Sequence, residues 1–507
     1  MKHIAGALVL LVFASLPLQA AEPALHLHLH GPASIGQDEA ASGLKGIFEV
    51  PHSQTVGEFL IGSVARNVVG EFAADSSDSA VNELAAILKR GIANETVLEI
   101  TDREKRAWRC TFRLPAQELE VFENVLRMFV KRHKGAIKSP IDANGGWSFT
   151  PSGSKRAVTV SRLAGWITLD ATGIPQPSDW KQNGLRGLRP VPKIDGPIRL
   201  SVRSEMLPML APGLRLPHAF SLDLDVKYHN GRLRSDGSVR FDEDVKLALE
   251  TFSPPSNSIR DPLITFSALR GFQAWLADWD YLRQWRIPVL PNQAFAWAQQ
   301  DLPMHSLVAF PFPKAAQYLL KQQARVDEVL NPNLARHSMG GFEYSTNAAA
   351  QVLRGVPLMA PFATAAPEAS GDWAMLGTVV GNRPTGTNTN PPPAELLAQI
   401  NNRPDLLYYH WEITEPRLQQ VRMIADLARI FAMQILPGND SPFPIWLKNL
   451  ASSLGNTVTE ITRESDRVWK LTRTSDIGLT SLELTLLAHR LAPKVKLPSP
   501  PGVPTAK

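Results

Sequence analysis

Cysteine is almost absent from this chain of 507 residues, whose single cysteine is Cys110. One thiol cannot form an intramolecular disulfide or supply a cysteine-based zinc site. A lipid-modified N-terminal cysteine is excluded too, because no cysteine lies near the N-terminus. Stability must therefore come from large hydrophobic cores, and 44% hydrophobic residues are sufficient for the two to four domains that this length predicts.

A strong charge of either sign is also missing, since 53 lysines and arginines stand against 48 aspartates and glutamates, a net charge of +5. A nucleic-acid-binding protein usually concentrates its basic residues in one patch or stripe. The densest basic run, Lys131–Lys134, lies at the end of a predicted helix, where cations complement the helix dipole. The sequence therefore argues against nucleic acid as a partner.

Sequence signatures of the common catalytic machineries are not found. The chain has no G-x-S-x-G or H-E-x-x-H motif, no P-loop and no dinucleotide-binding fingerprint. Catalytic groups are recognised by their arrangement in space and not by their order in the sequence. The missing motifs therefore lower the expectation of an enzyme without excluding one.

The N-terminus carries a long apolar run. Lys2 and His3 precede 13 residues, Ile4–Leu16, and small residues follow at Ala20 and Ala21. This order is typical of a secretory signal peptide, so residues 1–21 are interpreted as one that is cleaved near Ala20 or Ala21. An uncleaved membrane anchor is the alternative, although 13 residues are short for a hydrocarbon core of ~30 Å. We expect a periplasmic or secreted protein with no transmembrane span in the mature chain.

An internal repeat predicts that the mature chain is built from related modules. The segments Thr96–Thr111 and Thr457–Thr472 align without gaps and share eight of 16 residues, where chance would give about one. Each segment has the pattern of a β-hairpin whose second strand carries a tryptophan. The predicted fold class is α+β, with duplicated modules of antiparallel sheet packed with helices.

The predicted domain organisation follows from the repeat and from proline-rich segments. The segments are a signal peptide (1–21), an α+β module (22–182), a β-hairpin-rich element (196–250), a second α+β module (263–380), a linker (381–393), a truncated third module (394–492) and a disordered tail (493–507). In the hairpin-rich element, Asn230 and Gly231 predict a turn of type I′ character. A strand at Phe48–Val50 is expected to open the first repeat, and a helix is expected over Ala268–Trp285.

Alternating histidines near the predicted mature N-terminus form the candidate ligand site. His26, His28 and His30 would share one face of a strand, about 6.5–7 Å apart at neighbouring steps. Three imidazoles could bind a divalent transition metal such as Zn²⁺, Cu²⁺ or Ni²⁺, and no other cofactor is predicted. Because that spacing is wide for one ion and no carboxylate is adjacent, an edge strand with a polar outer face is the alternative interpretation.

Several motifs resemble a family of large, uncharacterised exported bacterial proteins. They are Asp261–Phe266, Pro391–Leu397, Arg403–Thr414, Leu454–Thr462 and Ile477–Thr480. The resemblance extends over most of the mature chain. It implies export and modular α+β structure, and it implies no activity, cofactor or site residue.

Together these features favour a non-enzymatic binding or structural protein of the bacterial cell envelope, whose partner would be an unknown envelope protein, glycan or lipid. An envelope hydrolase or metal-dependent enzyme with a site between modules is the second hypothesis. A carrier of lipids or other hydrophobic ligands is the third. An enzyme should bring titratable groups with shifted pKa values together, whereas a scaffold should bury Trp108, Trp166, Trp373 and Trp469 as core residues.

Overall fold

A computed structural model gives the fold of the protein. It describes residues 23–491 except the segments 74–76, 103–106, 139–145, 173–195, 207–217, 278–286, 301–304, 337–339, 355–359, 369–370, 380–389 and 432–441 and the positions 153, 155, 164 and 348. The predicted signal peptide, the predicted tail and most of the predicted linker lie outside the described residues. The chain divides into two compact units, one of residues 1–245 with 464–478 and the other of residues 246–463 with 479–507.

The described residues contain 20 strands, and the pairings within each unit are antiparallel. They are β1 (Leu25–Leu29), β2 (Thr96–Asp102), β3 (Ala107–Arg113), β4 (Ala136–Lys138), β5 (Trp147–Thr150), β6 (Val158–Leu163), β7 (Trp166–Asp170), β8 (Ile198–Arg203), β9 (Phe220–His229), β10 (Arg232–Phe241), β11 (Leu263–Arg270), β12 (Gln293–Gln299), β13 (Ser306–Pro311), β14 (Gly341–Ser345), β15 (Ala350–Arg354), β16 (Ala360–Glu368), β17 (Gly371–Val379), β18 (Leu406–Ile413), β19 (Asn456–Arg463) and β20 (Val468–Ser475).

The α-helices of the described residues lie between these strands. They are α1 (Pro32–Gln37), α2 (Ser42–Glu49), α3 (Ser53–Val68), α4 (Asp78–Ile92), α5 (Ala116–Arg132), α6 (Gln273–Ala277), α7 (Ala315–Arg325), α8 (Asn331–Arg336), α9 (Ala394–Ala398), α10 (Thr414–Phe431), α11 (Phe443–Ala451) and α12 (Ser481–Leu491). The predicted class, α+β with antiparallel strands, is confirmed. Within the described part of the chain, no helix is both long and apolar enough to cross a membrane.

The strand order within each unit follows from the pairings. In the first unit it is β4–β5–β6–β7–β3–β2–β1–β8–β9–β10–β20. In the second unit it is β14–β15–β16–β17–β13–β12–β11–β18–β19. The second order repeats the first nine positions of the first order with every strand number raised by ten.

Helices and one face of the sheet enclose the core of the first unit. Helix α5 buries the apolar stripe that its 3.6-residue spacing predicts, including Phe122, Leu126 and Phe129. Helix α4 is capped by Ser77, whose side chain accepts a hydrogen bond from the Ala80 N–H. The helix packs so closely on β3 that Gly91 faces the Phe112 ring. Burial in this core raises the pKa of the Cys110 thiol, so the one cysteine is an inert core residue.

The core of the second unit contains large aromatic residues on β11, β12 and β17. Phe266, Phe295, Trp297 and Trp373 are each at most 1% exposed and belong to one cluster of buried residues. Of the four tryptophans expected as core residues, Trp373 is fully buried, whereas Trp108, Trp166 and Trp469 are half-buried. The scaffold expectation is therefore wrong for those three residues.

The secondary structure predicted from the sequence is confirmed at two hairpins and is wrong at Phe48 and at Ala268. Strands β2 and β3 pair as predicted, and Asn230 and Gly231 both have positive φ in the turn between β9 and β10. Phe48 lies in helix α2 and not in a strand, because its ring and Ile47 are buried together on one helical face. Ala268 lies in β11, paired on both sides, and the following helix begins at Gln273, while residues 278–286 lie outside the described residues.

Candidate functional site

Strand β1 carries the alternating histidines and is an interior strand of the first unit. It pairs with β2 on one side and β8 on the other, so the edge-strand interpretation is wrong. Leu25, Leu27 and Leu29 are buried on one face, which leaves the histidines on the opposite face as the period of two requires. His28 is 1% exposed, a low value for a polar residue on a strand face.

Three side chains at the end of this strand form a compact group that could hold a metal ion. One ligand atom each from His28, His30 and Glu95 can be chosen so that all three atoms lie within 4.8 Å of one another. Glu95 immediately precedes β2, and its Oε1 lies 2.8 Å from His28 Nε2. His30 lies just beyond the end of β1, and its ring centroid is 5.9 Å from that of His28.

The protonation states of this group favour ligand atoms. Burial lowers the pKa of His30, although Glu95 opposes the shift, so its imidazole is held in the neutral form that binds metals. Burial would raise the pKa of Glu95, but hydrogen bonds from His28 and Arg113 outweigh it and the pKa is lowered, which keeps the carboxylate ionised. Arg113 Nη1 donates to Glu95 Oε2 at 3.0 Å and so orients that carboxylate.

His28 has an unsatisfied ring nitrogen. Its Nδ1 is buried and has no hydrogen-bond partner among the described residues. Buried polar atoms are nearly always paired, so an orphaned imidazole nitrogen is the feature that a missing ligand would leave. The spacing of the group is compatible with a divalent transition metal, and the orphaned nitrogen leaves one position of the His28 ring available to a ligand.

His26, the third histidine of the sequence prediction, lies in a different set of contacts. Its Nδ1 is 3.3 Å from Glu99 Oε1, and Arg109 joins Glu99 to Asp170 across β2, β3 and β7. Burial would raise the pKa of Glu99, but contacts with His26 and Arg109 lower it. Because Arg109 pairs with both carboxylates, the row ties neighbouring strands together, and none of its residues belongs to the group of three.

Sequence reasoning identified His28 and His30 and missed Glu95. The glutamate is 65 residues away from His30, and only the pairing of β1 with β2 brings it to the histidines. A signal was present in the sequence: Glu95 immediately precedes the hairpin of the internal repeat, where a strand was already predicted. No carboxylate is adjacent to the three histidines in the sequence, but Glu95 lies next to His28 in space.

Comparison with known proteins does not identify a family for this chain. No protein-family model, no curated protein and no solved structure matches the chain.

Proposed function

We propose that this protein is an exported binding protein of the bacterial cell envelope that holds one divalent transition-metal ion between His28, His30 and Glu95. The observation that carries this proposal is the convergence of the three ligand atoms within 4.8 Å. Two imidazoles and one carboxylate form a ligand set that zinc sites use, with a fourth position left for water or another ligand.

Further support comes from the surroundings of the three side chains. Arg113 supplies the outer hydrogen bond that would fix a metal-binding carboxylate, and the lowering of the His30 pKa by burial reduces competition from protons. The export part of the proposal is supported by the charged start, the apolar run Ile4–Leu16 and the small residues that follow it.

We also propose that the mature chain arose by duplication of one α+β module. The shared order of the first nine strands in the two units supports this, as do the eight identities between Thr96–Thr111 and Thr457–Thr472. In this proposal β18 and β19 begin a third, truncated copy. Duplicated modules give a large fold without disulfides, which agrees with the single cysteine.

The metal site is tested by titrating the protein that lacks residues 1–21 with Zn²⁺, Co²⁺, Ni²⁺ and Cu²⁺ in a calorimeter. We expect one ion per chain, confirmed by elemental analysis after gel filtration. His30→Ala and Glu95→Gln should each weaken binding by roughly tenfold or more, because each removes one of three ligands. Both positions are less buried than His28, so these variants are better tests than a change at His28.

The matched control is His26→Ala, which removes a histidine from the same strand but outside the group of three. It should retain the ion with unchanged affinity. If His26→Ala weakens binding as much as His30→Ala does, the ion is held by the three alternating histidines and Glu95 has no part in it. If the wild-type protein retains no ion, the metal-binding proposal is wrong.

A further inference from the structure

A second group of polar side chains lies inside the second unit, where β11 pairs with β18. The register of this pair places Ser267 opposite His410 and Thr265 opposite Glu412. Opposite residues of an antiparallel pair point to the same face, so these four side chains are neighbours. Helix α10 packs against both strands.

Ser267, His410 and Glu412 form a chain of contacts. Ser267 Oγ lies 2.8 Å from His410 Nδ1, and His410 Nε2 lies 3.3 Å from Glu412 Oε2. His410 Nδ1 can accept the serine hydroxyl proton, whereas the contact of Nε2 with the carboxylate is electrostatic and lacks the alignment of a hydrogen bond. Hydroxyl, imidazole and carboxylate thus stand in the order that activates a serine nucleophile.

Glu412 is held ionised and in place by the start of helix α12. Its Oε1 accepts a hydrogen bond from the Ser481 backbone N–H at 2.8 Å, and its Oε2 accepts one from Ser481 Oγ at 2.7 Å. Burial would raise the pKa of Glu412, but contacts with His410 and Ser481 lower it. A carboxylate that is 1% exposed and fixed by two hydrogen bonds can orient an imidazole without moving.

A half-buried cation lies near Glu412. Arg417 on α10 donates from Nη1 to Ser306 Oγ at 2.8 Å and interacts electrostatically with Glu412. Burial lowers the pKa of Arg417, and the charge of Glu412 opposes the shift. Glu412, the carboxylate that contacts His410, and Arg417 therefore both have shifted pKa values, which is common at active sites.

We propose that Ser267, His410 and Glu412 hydrolyse a carboxylic ester. Ser267 Oγ attacks the ester carbonyl carbon while its proton passes to His410 Nδ1. The carbon–oxygen bond to the alcohol then breaks, and His410 returns the proton to the leaving alkoxide. Water attacks the acyl-Ser267 ester, gives its proton to His410, and releases the carboxylic acid as His410 reprotonates Ser267.

The substrate class follows from the nucleophile and its position. Ser267 is half-buried in the middle of a paired strand, so the reacting group must be compact. A small acyl ester, such as an acetyl group on a larger alcohol, fits that restriction. The inference is independent of the metal site, because none of its three residues belongs to the His28 group.

The experiment treats the protein lacking residues 1–21 with a fluorophosphonate probe, which forms a stable bond to activated serines, and locates the adduct by peptide mass spectrometry. We expect the adduct on Ser267 and its loss in Ser267→Ala. His410→Gln should slow labelling by roughly 10²-fold or more, and Glu412→Gln by roughly tenfold or more, because the imidazole loses its orienting anion. Hydrolysis of p-nitrophenyl acetate should follow the same order.

Ser258→Ala is the matched control, since Ser258 is a half-buried serine of the same unit whose hydroxyl donates to Glu368 and to none of the three residues. It should be labelled at Ser267 at the wild-type rate, and each variant should first show a wild-type circular dichroism spectrum. Prior treatment with a chelator should leave labelling unchanged, which separates this inference from the metal proposal. An unlabelled Ser267, or labelling as fast in His410→Gln as in the wild type, would overturn the esterase inference.

Discussion

At the scale of single residues, buried charge in this protein is stabilised by specific opposite partners. Glu99 and Asp170 share Arg109, and Glu123 pairs with Arg127 at 2.8 Å. Removing one partner of such a pair leaves an uncompensated buried charge, which costs more than the pair contributes. Glu412 differs from these carboxylates because its partners include a backbone N–H and a neutral serine hydroxyl. The effect of its ionisation on stability can therefore be measured separately from the loss of an ion pair.

The lowered pKa of Glu412 predicts how stability depends on pH. Its folded-state pKa lies below the ordinary value of 4.5. Its contribution to the free energy of unfolding is therefore complete above that value and is lost as pH falls through the folded-state pKa. The stability advantage of the wild type over Glu412→Gln should be larger near neutral pH than near pH 3, as measured by urea unfolding.

Glu328→Gln is the control for this pH series, because Glu328 is exposed. Its difference from the wild type should change less with pH than that of Glu412→Gln. Equal differences for Glu412→Gln at both pH values would show that the folded state does not favour the ionised carboxylate.

At the scale of secondary structure elements, close packing decides where helices lie on the sheet. Helix α4 approaches β3 at a glycine, and a β-carbon on Gly91 would lie 2.6 Å from Cδ1 of the fully buried Phe112. Strand β1 pairs with both β2 and β8, and it supplies His28 and positions His30 immediately after its end.

Gly91→Ala should destabilise the first unit by about 1–3 kcal/mol, because the added methyl group must displace the Phe112 ring in a filled core. The free energy of unfolding from urea titration measures the effect. Gly62→Ala is the matched helical control, since nothing lies within 4 Å of its added β-carbon. It should be neutral or stabilise by up to about 0.5–1 kcal/mol. A Gly91→Ala protein as stable as the wild type would contradict the close approach of α4 to β3.

At the scale of the whole molecule, the proposed cleavage of a signal peptide is compatible with the fold, because the cleavage site lies before the first strand. Cleavage near Ala20 or Ala21 leaves β1, which begins at Leu25, intact. Cleavage beyond β1 would remove an interior strand and leave the backbone groups of β2 and β8 that face it without partners.

We expect the protein from the envelope fraction of an expressing bacterium to begin at residue 21 or 22, as determined by intact mass spectrometry. A chain that begins at residue 22 should unfold at the same temperature as this mature protein. A chain that begins at residue 31 should lose the cooperative unfolding of the first unit. Recovery of a chain that still carries residues 1–21 in the membrane fraction would instead support an uncleaved anchor.

The sequence by itself determined most local elements and two of the three residues of the candidate site. Alternation placed His28 and His30 on one face, apolar spacing defined α5, and Asn230–Gly231 defined a turn, because each signal depends on residues close together in the chain. Short apolar segments were ambiguous: Phe48–Val50 carries strand-type residues, yet Phe48 is buried on a helix.

Tertiary structure alone decided which distant residues meet. Pairing of β1 with β2 brought Glu95 to the histidines, and the register of β11 with β18 put Ser267 opposite His410. A shift of one residue in that register would turn either side chain to the other face of its sheet. Register depends on the burial of whole strand faces and on contacts between residues far apart in sequence, and a local pattern carries no information about either.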